Sequence, residues 1–182
     1  MVRRFIKHSV KQWVNLYGFD GFRFDLMGIL DIQTMNELAE ELKESYPNVY
    51  LYGEGWKMAT GLDSELLAHQ YNAAELTDYG FFSDNFRDTI KGTILNKQRL
   101  TGFEWTSSMA NIGLETASHF QSPQQAINYT ECHDNATVFD YFKMEDPNIS
   151  PKERLASARL ALHLVLLAQG VPFLHSGQEF FR

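Results

Sequence analysis

Two hydrophobic periods alternate along this chain, and the alternation limits the folds open to it. Val2, Phe5, Ile6, Val10, Trp13, Val14 and Tyr17 recur at three- and four-residue steps, which predicts an amphipathic helix over 2–17, stopped at Gly18. Gly21-Phe22-Arg23-Phe24-Asp25 follows, a short aromatic-rich run with strand character. Asp31 stands where an N-cap belongs, ahead of a helical pattern through Met35, Leu38, Ala39 and Leu42 that Pro47 and Asn48 break. A second strand, Val49–Tyr52, runs into Gly53-Glu54-Gly55-Trp56. The middle is less regular: a strand at Tyr79–Phe82, a short helix over Asn85–Ile94, and a loop over 97–111. Ile127–Tyr129 reads as a strand leading to Glu131-Cys132-His133-Asp134-Asn135. Ser150-Pro151-Lys152-Glu153 is a strong helix start, with Leu155, Ala158, Leu162 and Val165 expected on the buried face, Gly170 as the stop and Val171–Leu174 as a last strand. Strands separated by helices predict an α/β fold with a parallel sheet and crossover helices. No repeat, low-complexity segment or linker interrupts the pattern.

Composition removes several functions. Of 182 residues, 44% are hydrophobic and 21% charged, the balance of an ordinary globular chain. The net charge of −7 disfavours nucleic acid, whose binding depends on Lys and Arg neutralising phosphates. Arg3, Arg4, Lys7 and Lys11 sit at helical spacing and read as a solvated face. The single cysteine, Cys132, permits no internal disulfide and no multi-cysteine zinc site, and it reads as a small buried residue. The longest apolar stretch, Leu160–Ala168, contains His163 and is too short to cross a bilayer, so no membrane is expected. The N-terminus lacks the apolar core of a signal peptide, and the compartment stays open. Aromatic residues reach 14%, which serves either a core or a groove that stacks on sugar rings; composition does not separate the two.

Three acids stand directly after apolar strands: Asp25, Glu54 and Asp134. In a (β/α)8 barrel that is where working residues stand. Any one of them singly is as well explained as a cap or turn residue; three in one chain favour a carboxylate cluster. Such clusters suit glycoside hydrolysis, in which one carboxylate attacks the anomeric carbon or stabilises its charge and another protonates the leaving oxygen. Metal binding is the rival use, but no EF-hand-like spacing is present. Arg23 lies two residues before Asp25, on the same side of a strand, where a guanidinium favours the charged form a nucleophile needs; a structural ion pair is the alternative. Trp56 suits a sugar platform or ordinary packing, and His133 a sugar hydroxyl or a surface position. His175 and Glu179 follow the last strand and are expected, at most, to support the site from behind. Gly53 and Gly55 flank Glu54 without a phosphate-loop pattern.

These segments resemble the α-amylase family of glycoside hydrolases. Gly21 to Asp25 is similar to its nucleophile strand, Leu51 to Trp56 to its acid/base strand, and Ile127 to Asn135 to its last catalytic segment. The fuller forms Asp20 to Gly28 and Gly53 to Trp56, with Gly80 to Gly92 and Gly170 to Arg182, resemble type I pullulanases in particular. The resemblance implies that residues 1–182 are the C-terminal part of a catalytic (β/α)8 barrel, roughly its fourth to eighth strands. It implies Asp25 as nucleophile, Glu54 as general acid/base and Asp134 as transition-state stabiliser, with Arg23, Trp56 and His133 contacting substrate. The implied reaction is retaining hydrolysis of α-1,6 bonds in pullulan, limit dextrin and related α-glucans. An α-1,4-acting hydrolase, a glucanotransferase and a non-catalytic glucan-binding fragment are the alternatives. No organic cofactor is implied; a structural calcium occurs in some relatives, and no loop here demands one. An early family segment bearing an Asp and a His has no match, and a partial barrel is expected to leave sheet edges through which copies self-associate.

Overall fold

The computed structural model describes residues 1–96 and 119–182; the loop expected over 97–111 lies outside the described residues. The chain divides into two compact units. The first takes Met1–Phe82 with His119–Gln125, and the second includes Ala126–Arg182 and begins at Ser83.

In the first unit, α1 (Val2–Tyr17) leads into β1 (Gly21–Phe24), α2 (Ile32–Lys43) crosses to β2 (Tyr50–Gly53), and irregular turns lead to β3 (Tyr79–Phe82). The strands are parallel, with Phe24 opposite Gly53 and Gly53 opposite Phe81. All four residues of β3 are buried, as parallel strands covered on both faces require. Asp31 caps α2 by accepting from the Thr34 amide at 2.8 Å. The buried face of α2 is Met35, Leu38, Ala39 and Leu42, as the period implies; each such aliphatic side chain contributes about 1.5–3 kcal/mol when fully buried.

α1 departs from its expectation in two respects. Only Val10 and Val14 of its apolar stripe are buried, while Val2, Phe5 and Tyr17 are more than 60% exposed, at 70%, 72% and 63%. Periodicity specifies the helix; burial also needs a facing surface, and within this unit only Val10, Val14 and the partly buried Ile6 of the stripe pack into the core. Nor are the basic residues simply solvated. Arg3 donates to Asp31 at 3.0 Å and Glu37 at 3.1 Å, Lys7 bonds Glu37 and Glu41, and Lys11 pairs with Glu41. Only Arg4 among them behaves as read, with an exposed side chain.

The second unit contains α3 (Asp84–Asn96), β4 (Ala126–Asn128), α4 (Val138–Glu145), α5 (Pro151–Leu167) and β5 (Val171–Pro172). β4 and β5 run parallel, Ile127 opposite Val171. Ser150 and Glu153 complete a capping box at the start of α5. The buried residues of α5 are Ser157, Ala158, Ala161 and Val165; Leu155 and Leu162 are only half-buried. Small residues win that face because α3 and α4 bring Phe86, Ile90 and Phe142 against it. Gly170 has φ +136 and a Cβ there would fall 2.6 Å from the Asn128 side-chain Nδ2 and 2.8 Å from the Ala126 carbonyl oxygen, so the turn into β5 needs glycine. α4 is absent from the sequence reading; Thr137 caps it, accepting from the Asp140 amide at 3.2 Å. No described helix is long and apolar enough to cross a membrane.

Buried phenols make the fold sensitive to alkali. Burial, then the neighbouring Tyr52, pushes the Tyr50 hydroxyl up to about 12. Burial also raises Tyr79, whose hydroxyl donates to the Met35 carbonyl at 2.7 Å, and Tyr129. A raised pKa means the folded chain keeps protons that the unfolded chain releases above about 10, so this stability is complete below that pH and is lost as pH rises through the folded values. Lys91, lowered by burial and by Arg87, acts oppositely, but only below its ordinary 10.5. The urea midpoint is expected to fall steadily from about pH 10 to about pH 12, with tyrosinate absorbance rising together with unfolding. Phenols that all ionise near pH 10 in a still-folded chain would contradict this.

Candidate active site

The first unit brings Asp25, Glu54 and Arg23 together. Phe24 and Gly53 are paired, so Asp25 and Glu54 leave β1 and β2 at matching positions. The ladder continues past the strands, with the Glu54 amide donating to the Phe24 carbonyl and the Gly28 amide to the Glu54 carbonyl, each at 3.0 Å. Arg23 donates to Asp25 Oδ1 at 3.0 Å through one nitrogen and to Glu54 Oε1 through another, so one guanidinium joins the two acids. Asp25 and Glu54 each place a carboxylate oxygen within 4.8 Å of the other. The two side chains differ in exposure: 67% for Asp25 and 5% for Glu54. Glu54 is therefore recessed, and its second oxygen accepts from the Leu26 amide at 3.0 Å.

Sequence reasoning missed the groups that hold this pair. Leu26 adopts a left-handed conformation, φ 46 and ψ 40, which turns its amide towards Glu54; a non-glycine residue there is uncommon and costs energy. Phe82 lies under the Arg23 guanidinium, 5.6 Å from ring centroid to the central carbon. Gly28 lies so close to the β2 end that a Cβ would fall 1.9 Å from the Trp56 carbonyl oxygen. Glycine at 28 thus sets how closely the two loops approach, a constraint that no spacing rule reveals. Trp56 itself is half-buried.

The second unit carries His133 and Asp134 on the loop after β4. Both are exposed, with His133 Nε2 3.5 Å from Asp134 Oδ1. The left-handed Asn135, φ 65, turns the chain directly afterwards. Glu131, not singled out from sequence, is buried beneath this loop: one oxygen accepts from the Val138 amide at 2.6 Å, and the other lies 3.5 Å from His175 Nδ1. His175 also receives Arg182 at 2.9 Å, and Glu179 accepts from the Gly177 amide at 3.0 Å, so both brace the segment after β5. Cys132 is half-exposed rather than buried, because the chain leaves the packed strand at Thr130 and the side chain opens onto a cavity beside α3.

A family model described as the α-amylase catalytic domain matches residues 1–181. The chain belongs to this family. The α-amylase catalytic domain is a (β/α)8 barrel, and this chain is part of one, in line with the partial barrel expected from sequence. The chain is 42% identical to the pullulanase of Bacillus subtilis (strain 168), covering 100% of this chain and 27% of that protein. It is 32% identical to pullulanase A of Streptococcus pneumoniae, covering 100% of this chain and 16% of that protein in strain D39. Among solved structures, the pullulanase of Anoxybacillus sp. LM18-11 complexed with maltotriose superposes with a TM-score of 0.91 at 41% identity, covering 100% of this chain and 27% of that one. The Paenibacillus barengoltzii pullulanase complexed with maltohexaose and α-cyclodextrin gives 0.89 at 41% identity, covering 99% and 30%. The chain therefore spans under a third of the length of these α-amylase-family relatives.

In this family member the approach of the two loops is open to direct test. Gly28→Ala is expected to cost about 1–3 kcal/mol, because the Trp56 carbonyl and its strand end must give way. Gly61→Ala, whose Cβ meets nothing within 4 Å, should stay within about 0.5 kcal/mol of wild type. Urea denaturation measures both, and equal stabilities would refute the close approach.

Proposed function

We propose that this chain carries the catalytic carboxylates of a retaining hydrolase of α-1,6-glucosidic bonds in pullulan-type α-glucans. The observation that carries the reading is the separation of Asp25 and Glu54, whose oxygens come within 4.8 Å and share one guanidinium. Retaining glycosidases hold their carboxyl groups about 5–5.5 Å apart, whereas inverting enzymes need about 6.5–9.5 Å to admit a water between them and the sugar. Exposure divides the roles. Asp25 reaches into solvent, where its oxygen attacks the anomeric carbon and forms a glycosyl ester. Glu54, recessed and held by Arg23 and the Leu26 amide, gives its proton to the leaving oxygen, then takes one from the water that opens the ester. Arg23 orients both. Asp134 stabilises the positive charge that develops at the sugar ring, His133 bonds a hydroxyl, and the half-buried Trp56 offers a ring face to the glucan. The α-1,6 preference is supported by relatives named pullulanases, and glucan binding by relatives whose structures hold maltotriose and maltohexaose. No organic cofactor enters this chemistry.

Reducing-sugar release from pullulan by the purified chain tests the reading. Glu54→Gln is expected to lower it by about 10²–10⁴, the usual worth of a general acid/base. Release that survives Glu54→Gln would overturn the acid/base role. Release from amylose but not from pullulan would overturn the linkage. Maltotriose binding without release by a folded wild type would reduce the chain to a glucan-binding part.

A further inference from the structure

The second unit contains a cavity of about 360 Å³ in which Lys91 from α3 meets the segment 129–136 and α4. Lys91 is 8% exposed. Its Nζ stands 4.7 Å over the Tyr141 ring and has no hydrogen-bond acceptor among the described residues. An ammonium has three donors, and burying them without acceptors is costly. Burial, and then the Arg87 guanidinium, hold this amine below the ordinary lysine value, which follows from that lack. Arg87, one turn earlier, is already committed: it donates to Asp88 at 2.6 and 2.9 Å and to the Tyr129 hydroxyl at 2.8 Å. Across the cavity, Glu131 is buried and its Oε1 accepts no hydrogen bond among the described residues. One wall thus has donors without acceptors, and another has an acceptor whose nearest cationic group, His175 Nδ1, stands off at 3.5 Å.

The charges select the chemistry of an occupant. An anion would meet Lys91 but also Glu131, Asp134 and Glu145; a cation would meet Arg87 and Lys91. A hydroxyl both donates and accepts, so a neutral polyol satisfies both walls at once. The volume falls in the range of small-ligand clefts. Asp134 lines the cavity too, so a sugar here would sit against one of the acids of the proposed reaction.

We propose that this cavity is a glucosyl-binding site in which Lys91 donates to, and Glu131 accepts from, sugar hydroxyls. The assignment rests on the α-glucan reading above and adds a place where one glucosyl unit of that substrate is held.

Acetylation of lysines in the wild-type chain at neutral pH, read by peptide mass spectrometry with and without maltotriose, tests the site. At ten times its dissociation constant, maltotriose should slow acetylation of Lys91 about ten-fold and leave the exposed Lys57 unchanged. Inorganic phosphate should protect neither. Lys91→Met, which keeps the apolar stem and removes the donors, should weaken maltotriose about ten-fold in calorimetry, the worth of one charged hydrogen bond. Maltotriose that binds while Lys91 stays unprotected and Lys91→Met binds as wild type would overturn the site and leave the catalytic reading standing. Protection by phosphate would overturn the choice of a neutral ligand. A Lys91 never acetylated without sugar would show the cavity closed and overturn the proposal. Absence of any maltotriose binding would sink both readings.

Discussion

A buried carboxylate needs a partner, and Glu54 has one in Arg23. Leaving such a charge unpaired costs more than most other single defects, so the guanidinium fixes much of what surrounds it. Arg23 reaches both Asp25 and Glu54 because β1 and β2 are parallel and in register, which puts the two acids side by side where the strands end. The left-handed Leu26 is tolerated there because its amide completes Glu54's hydrogen bonds, and Gly28 admits the Trp56 carbonyl at a distance no side chain would allow. Strand register, backbone strain and glycine placement all serve one pair of acids.

The regular elements were legible in the sequence where local rules act alone. The caps at Asp31 and Ser150, the period of α2 and the apolar run of β3 each specify their structure within a few residues. Burial was legible only where the facing surface could be assumed. α1 has a helix's period, yet its apolar stripe is largely exposed in the unit that contains it. α5 buries Ala158 and Val165 as its period implies, but Ser157 and Ala161 rather than Leu155 and Leu162, because the bulk comes from Phe86 and Phe142 on the neighbouring helices. The basic residues of α1 read as a solvated face, and their pairing with Asp31, Glu37 and Glu41 depends on a helix packed beside them.

The acids could be singled out from sequence, and the groups that hold them could not. An acid after an apolar strand has little structural reason to be there, and Asp25, Glu54 and Asp134 stand out on that ground. Leu26, Phe82 and Glu131 act through a backbone amide, a ring face and a loop clasp, and none of these leaves a spacing signature. Glu131 is the instructive case. It stands three residues from Asp134 in the same strand-end segment, and only its burial and its bond to Val138 separate it from the exposed acid.

The account turns on Asp25 forming a bond to the sugar. Incubation of the chain with a fluorinated maltosyl fluoride, whose glycosyl ester hydrolyses slowly, followed by peptide mass spectrometry, tests that directly. The account predicts one glycosylated peptide, with the sugar on Asp25 and none after Asp25→Asn. A sugar attached to Glu54 instead, or turnover with inverted anomeric configuration and no attached sugar, would contradict it.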